Sequence, residues 1–305
     1  MNKSVYFIIL NYNTAEDTKK CVKSIRGLET HGYDIKIVII DNNSPDNSYE
    51  ELMRCYSDEC GIKIIKTDKN VGFSKANNIG YGIALEDGTT EFCVVCNSDI
   101  IFGQRDFIAG IVREYSDSHF HVLGPDVWCE AMKNRWCKGH QSPWYNFETK
   151  EAYVRMHLQY NKMLLRRIEK KKTNYIANAY IRFKRCAWLA YRKLLTEVLM
   201  KDYRVQRHEN VALHGSCIII SSRFMECEKV LFYPEVLFYG EELLLYLRVK
   251  RKDYVAVYNP RLQVQHMQGR ATDTLGASED KEKFVYENLC IGDITYLKEM
   301  KRYNQ

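Results

Sequence analysis

The sequence predicts an α/β fold: a Rossmann-like, mostly parallel central sheet with helices on both faces. Three observations predict it. Apolar runs of strand length alternate with segments of helical period through residues 1–100. The run Phe92-Cys93-Val94-Val95-Cys96 is unbroken, as in a strand covered on both faces. Two of the runs end directly in an acid or amide, at Asp41 and at Asn97-Ser98-Asp99. Alternating strands and helices give a parallel sheet with right-handed crossovers. Such sheets bind ligands beyond the carboxyl ends of their strands, so those residues carry the functional reading.

The elements follow in order. Residues 4–10 read as a strand, and 14–28 as a helix with Cys21, Val22, Ile25 and Leu28 on one face. Residues 35–40 form a second strand, 48–56 a short helix and 61–67 a third strand. Residues 74–85 are a helix closed by the Asp87-Gly88 turn, and 92–96 the fourth strand. A helix is expected at 107–115, then a Gly124-Pro125 turn ahead of a strand. Residues 128–149, rich in Trp, Tyr and polar side chains, read as an irregular loop. Amphipathic helices are expected at 163–172 and 181–199. A strand at 216–221 follows His214-Gly215, and a loop at 237–247 becomes a helix. Residues 254–258 are a strand leading to Pro260 and Val264-Gln265-His266. Residues 278–300 form a C-terminal helix with Phe284, Leu289, Ile291 and Leu297 as its apolar contacts.

Composition narrows the function classes. With 305 residues and 46% hydrophobic content the chain can bury a sizeable core. No run reaches the ~20 apolar residues of a membrane span. The first residues lack the long apolar region and cleavage site of a signal peptide, so a cytoplasmic location is expected. The 11 cysteines are odd in number and often sit in apolar runs, which favours reduced, buried thiols. Cys93 and Cys96 have C-x-x-C spacing but lie inside a strand, where packing is the better reading. Residues 150–210 hold 16 Lys/Arg against 5 Asp/Glu, a net of +11 in a chain whose total is +6. This basic helical insertion is either a solvated face or a contact with an anionic membrane surface. No nucleic-acid-binding motif accompanies it. There is no Gly-x-Gly-x-x-Gly and no Walker loop, which disfavours a dinucleotide fold and a P-loop.

Five segments carry chemistry. Asp41-Asn42-Asn43-Ser44 can read a nucleobase or ribose at a strand end. The Gly-containing turn of Asn70-Val71-Gly72-Phe73-Ser74-Lys75-Ala76-Asn77-Asn78 enters a helix and offers N–H groups and Lys75 to a diphosphate. Asp99 is placed to hold a divalent cation on that diphosphate, with His266 as a further ligand. Glu241 and Glu242 open a helix, where acids suit the dipole. A partly buried acid there also suits a general base. Trp128, Trp136, Trp144 and Tyr145 offer aromatic faces to a sugar ring or to loop packing.

Taken together, the ensemble resembles the family 2 glycosyltransferases of GT-A fold, in particular the branch that builds bacterial surface polysaccharides and includes rhamnosyltransferase-like enzymes. The resemblance runs from Val5 to about Thr272, with the basic insertion as an interruption. It rests on Ile8-Ile9-Leu10-Asn11-Tyr12-Asn13, Val38-Ile39-Ile40-Asp41-Asn42-Asn43-Ser44, Asn70-Val71-Gly72-Phe73 with Asn77-Asn78, Asn97-Ser98-Asp99, and Tyr239-Gly240-Glu241-Glu242 followed by His266.

The resemblance implies one GT-A domain over 1–305. Its parts are a nucleotide-sugar-binding half at 1–100, an acceptor and catalytic half at 101–277, and the C-terminal helix at 278–305. It implies inverting transfer from a UDP- or dTDP-sugar to a glycan acceptor on a polyprenyl diphosphate. That is the chemistry of O-antigen or capsule assembly at the inner face of the cytoplasmic membrane. Asn11, Asp41, Asn43, Gly72, Phe73, Asn78, Asn97 and Ser98 would bind the nucleotide-sugar. Asp99 and His266 would hold Mg2+ or Mn2+, and Glu242 would be the base, with Glu241 its rival. Two positions depart from the family pattern: Asn97 stands where a first acid is common, and the base is Glu where many members have Asp.

Two other classes fit less well. A sugar nucleotidyltransferase wants a Gly-rich, basic loop after the first strand, and here that position holds Asn11-Tyr12-Asn13-Thr14. A non-catalytic nucleotide-sugar-binding protein has no need of Asp99, Glu241, Glu242 and His266.

Overall fold

The computed structural model describes residues 2–133, 139–144, 146–169, 175–194, 202–267 and 279–303. The first half follows the sequence pattern closely. Strand β1 (Ser4–Asn11) leads to helix α1 (Ala15–Arg26), and β2 (Asp34–Asp41) to α2 (Ser48–Tyr56). Then β3 (Ile62–Lys66) leads to α3 (Gly72–Glu86), and β4 (Thr90–Asn97) closes the series. These strands pair in parallel in the order β3-β2-β1-β4. Because side chains alternate across a strand, β1 sends Val5, Phe7 and Ile9 to one face and Tyr6 and Ile8 to the other. The first set packs with Cys21, Val22 and Ile25 of α1 and Leu52 of α2. The second packs with Ala76, Tyr81 and Ala84 of α3. Each Val, Leu, Ile or Phe among them contributes roughly 1.5–3 kcal/mol on burial.

The second half joins the same sheet with a change of direction. After β5 (Ile100–Ile101) and α4 (Phe107–Ser118) come β6 (Val122–Trp128), α5 (Glu151–Ile168) and α6 (Tyr175–Leu194). There follow β7 (His208–Glu209), β8 (Cys217–Ser221), α7 (Ser222–Cys227), α8 (Glu241–Arg251), β9 (Ala256–His266) and α9 (Glu279–Tyr303). Strand β8 inserts antiparallel between β4 and β6, with Cys96 opposite Cys217. Its first residues therefore lie beside the last residues of β4, and the Asn97 N–H donates to the Ser216 carbonyl at 3.0 Å. Strand β5 pairs antiparallel with the end of β9, Ile100 opposite His266. These two pairings assemble the site.

Four expectations change. Gly124-Pro125 is not a turn but lies within β6, where the register shifts between Pro125 and Asp126. The β8 ladder stops at Leu123, and on the β9 side Pro125 sits at the register shift, where a strand tolerates the missing N–H. Likewise Pro260 does not end the last strand, since β9 runs through it to His266. Helix α5 begins earlier than expected and is no solvated extension. Val154, Asn161 and Met163 are buried, and Val154 shares a cluster with Leu243, Leu244, Tyr296 and Leu297 of α8 and α9. The expected contact Ile291 on α9 is exposed, whereas Leu297 is buried.

Candidate functional site

A cleft of about 600 Å3 opens beyond the carboxyl ends of β1, β2 and β4. Its walls include Tyr12, Asn42, Asn70 and Phe73 on one side and Asn97, Ser98 and Asp99 on the floor. His214, Glu241, Glu242 and His266 close the far side. Sheet geometry explains the convergence: the ends of parallel strands meet the start of antiparallel β8 and the end of β9 at one edge.

Asp99 and His266 face each other on the floor. His266 Nε2 lies 3.2 Å from Asp99 Oδ1, and both side chains are buried. The β5–β9 pairing holds them there, with the Met267 N–H donating to the Asp99 carbonyl at 3.0 Å. Gln141 Oε1 accepts from His266 Nδ1 at 2.7 Å, which leaves Nε2 as the edge turned to Asp99. Ligands about 2.1 Å from an octahedral ion and at right angles are about 3 Å apart, so this carboxylate–imidazole pair fits one divalent cation. Among the described residues no group of three or more His, Cys, Asp and Glu forms a cation cage.

Glu241 and Glu242 stand at the first turn of α8, after Gly240 at φ +97°. Each has its Oε2 buried without a hydrogen-bond partner. Burial pushes both carboxyls above the usual range, and their mutual repulsion adds to the effect at Glu241. The two acids differ in what they line. Glu242 also faces a second chamber of about 380 Å3, walled by Trp144, Tyr153, His157 and Asp293. Glu241 lines the cleft alone. In the second chamber His157 Nδ1 lies 2.9 Å from Asp293 Oδ2, and the Trp144 indole N–H is buried without a partner.

Other expected residues support the cleft from behind. Asp41 is fully buried. Its carboxylate accepts from Asn11 Nδ2 at 2.7 Å, Ser44 Oγ at 2.7 Å and the Ser44 N–H at 2.9 Å. Asn11 and Asp41 thus tie the ends of β1 and β2 together beneath the cleft, and neither lines it. Asn43 adopts φ +59° in the following turn and is also outside the lining. Asn78 pins the 230s segment, donating to the Phe232 carbonyl at 3.0 Å and accepting from its N–H at 2.9 Å.

The start of α3 does not present a free anion cradle. The Val71 N–H donates to Asn42 Oδ1, Gly72 to Asn70 Oδ1 and Phe73 to the Leu237 carbonyl, at 2.9, 3.0 and 2.7 Å. Gly72 sits at φ +80°, and a Cβ there would come 2.5 Å from the Leu237 oxygen. Lys75 is exposed and outside the lining. Of the expected aromatics, Trp144 lines the second chamber, Trp128 packs edge-on to His140 at 5.3 Å, and Trp136 and Tyr145 lie outside the described residues.

Sequence reasoning missed Tyr12, Gln141, His214, Tyr239 and Phe284 as wall residues. His214 accepts from or donates to Ser216 Oγ at 2.8 Å, and enclosure beside His266 brings its pKa down to about 3. Its sequence signal was a His-Gly-Ser ahead of an apolar run, which becomes informative only once β8 is known to be antiparallel.

Comparison with known proteins places these observations. The low-salt glycan biosynthesis hexosyltransferase Agl10 of Haloferax volcanii is 28% identical over 120 residues, covering 39% of this chain and 35% of that protein. Glycosyltransferase GlyG of Streptococcus pneumoniae is 23% identical over 150 residues, covering 43% of this chain and 48% of that one. The match thus spans about half or less of these curated relatives. Two solved structures share the fold. Mannosyltransferase PcManGT from Pyrobaculum calidifontis, in complex with GDP-Man and Mn2+, aligns with a TM-score of 0.52, 12% identity, 99% of this chain and 74% of that chain. S. aureus TarS 1-349 aligns with a TM-score of 0.51, 11% identity, 99% of this chain and 73% of that chain. The expected GT-A architecture is therefore borne out. The family model "Glycosyl transferase family 2" matches residues 6–184, from the first strand into α6. With more than half of its length matched in this way, the chain belongs to glycosyl transferase family 2.

Proposed function

We propose that this protein moves a sugar from a nucleotide-diphospho-sugar in the larger cleft to a hydroxyl of a glycan acceptor in the smaller chamber, with inversion at the anomeric carbon. The observation that carries this reading is Glu242, in the wall common to both spaces. A base there reaches an acceptor hydroxyl on one side and a donor anomeric carbon on the other. Glu242 takes the hydroxyl proton as the acceptor oxygen forms its bond to the anomeric carbon. The bond from that carbon to the diphosphate breaks on the opposite face, and the nucleoside diphosphate leaves. Its raised pKa suits a group that must accept a proton near neutrality.

Asp99 and His266 would hold a Mg2+ or Mn2+ ion at the floor of the cleft. A bound cation supplies charge neutralisation to the departing diphosphate. Asn42, Asn70 and Tyr12 meet the nucleoside, while Asn11, Asp41 and Asn43 hold the loop that presents Asn42. Phe73, Asn97 and Ser98 line the donor, and Gly72 and Asn78 fix the turn and the segment behind it. The donor is a UDP- or dTDP-sugar. The acceptor is a growing surface polysaccharide on a lipid diphosphate, as in O-antigen or capsule assembly, reached by a peripheral protein.

A donor screen by thermal shift tests the reading. Protein is heated with UDP-, dTDP- and GDP-sugars, each with Mn2+ and with EDTA. Selective stabilisation by one nucleotide, strengthened by metal and lost in Asp99→Ala, is expected. A ligand at 100 times its dissociation constant adds about 2.7 kcal/mol. No shift with any donor, with or without metal, would overturn it. Donor hydrolysis that disappears in Asp99→Ala excludes a purely binding protein.

A further inference from the structure

Helix α6 carries an apolar stripe on the side turned away from the protein. Ile176, Tyr180, Phe183, Tyr191 and Leu194 recur at helical spacing and are all exposed, Ile176 at 83%, Phe183 at 71% and Leu194 at 62%. The opposite side, with Asn178, Ile181 and Arg185, is the half-buried one. Arg185 lies over the Tyr160 ring at 3.5 Å, which joins α6 to α5 one turn from His157 of the second chamber. The half-buried side thus mixes polar and apolar residues, while an apolar stripe is presented outward, unlike the apolar-inward surface helix of a globular fold.

The charges say what covers the stripe. Helix α6 contains Arg182, Lys184, Arg185, Arg192 and Lys193 and not one Asp or Glu. Arg182 and Lys184 are exposed beside the stripe, and Lys184 Nζ lies 4.7 Å from the Tyr180 ring. Aromatic and aliphatic side chains flanked by the exposed bases Arg182 and Lys184 suit the boundary between acyl chains and anionic headgroups. No described helix is long and apolar enough to cross a membrane, so α6 would lie in the surface plane.

We infer that the outward face of α6 is a docking surface for an anionic lipid bilayer, with Ile176, Tyr180, Phe183 and Leu194 inserted and Arg182 and Lys184 paired to headgroups. A lipid-linked acceptor would give this contact a use. The inference stands on α6 itself, and its test needs neither donor nor acceptor.

The full chain is floated with vesicles of phosphatidylcholine alone and of phosphatidylcholine with phosphatidylglycerol. Binding to the anionic vesicles only, weakening with salt, is the expected result. Arg182→Gln with Lys184→Gln should lower partitioning about thirtyfold, from about 1 kcal/mol per base near the surface. Tyr180→Ser with Phe183→Ser should abolish it, with the circular dichroism and melting of each variant unchanged. Failure of the wild-type chain to bind anionic vesicles, or binding indifferent to both double variants, would overturn the inference. So would a wild-type dimer that Phe183→Ser converts to monomer without any vesicle binding, which would assign the face to a second copy of the chain.

Discussion

Gly292, in the middle of α9, lies against the backbone of Tyr239, immediately before the two acids of α8. A Cβ on Gly292 would stand 3.1 Å from the Tyr239 carbonyl carbon, 3.5 Å from the Gly240 Cα, and closer still to the Tyr239 oxygen. Tyr239 and Gly240 both have positive φ, +65° and +97°, so the turn that aims Glu241 and Glu242 has little freedom to retreat. Glycine inside a helix costs about 0.5–1 kcal/mol relative to alanine, and the close approach accounts for it here. Gly292→Ala should therefore lower kcat about 10- to 100-fold through displacement of the turn, with the donor KM little changed. Steady-state kinetics check this; an unchanged kcat would mean that the turn does not set the base.

Glu242→Gln should reduce kcat/KM by about 10^2–10^4, the range of a lost general base, while nucleotide binding persists. Glu241→Gln should cost less, because Glu241 does not face the second chamber. The pH profile carries the same assignment. The base works ionised and burial raises its pKa, so activity should rise with pH along an acid limb above the ordinary carboxylate range. Repulsion from Glu242 holds Glu241 protonated to higher pH, so Glu241→Gln removes no charge while Glu242 titrates and should leave that limb in place. A Glu242→Gln enzyme of wild-type rate would transfer the role to its neighbour.

Asp41→Ala should destabilise the fold by about 3 kcal/mol, because it strips Asn11 and Ser44 of a buried, charged acceptor. Urea unfolding measures this. A variant that keeps its stability but loses nucleotide affinity would make Asp41 a direct nucleoside contact instead.

The His121 ring should make the protein sensitive to mild acid. Its Nδ1 accepts the Val255 N–H at 3.0 Å and it stacks on Tyr254 at 4.4 Å; burial, with Arg223 nearby, lowers its pKa from 6.5 to about 4. The folded state favours the neutral ring. From pH 6.5 down to about 4 the unfolded chain takes up a proton that the folded one does not, so stability falls across that window. Melting temperature against pH should show the drop, and His121→Asn should lessen it, with buried His214 supplying the remainder.

The parallel half of the sheet was legible from residue pattern because each strand there is local, apolar and bounded by turns. So were Asp99, His266 and the Glu241-Glu242 pair, since acids and histidine at strand and helix ends stand out from apolar surroundings. The second half was harder. Pro125 and Pro260 punctuate the sequence like turns, yet both lie within strands at an irregular part of the β6–β9 ladder. The amphipathic reading of residues 163–172 fell on a helix that α9 covers, while the outward stripe belongs to α6.

By itself the sequence determined the α/β class, the strand ends that hold the acids, and the basic character of residues 150–210, because all of these are properties of neighbouring residues. Only the tertiary structure decided that Asp41 points into the protein and that His214 joins the cleft. It also decided that Glu242 rather than Glu241 faces both spaces, and which side of α6 is exposed. Those outcomes depend on pairings between residues far apart in the chain, antiparallel β8 beside β4 and α9 against α5 and α8, and no local pattern encodes such a pairing.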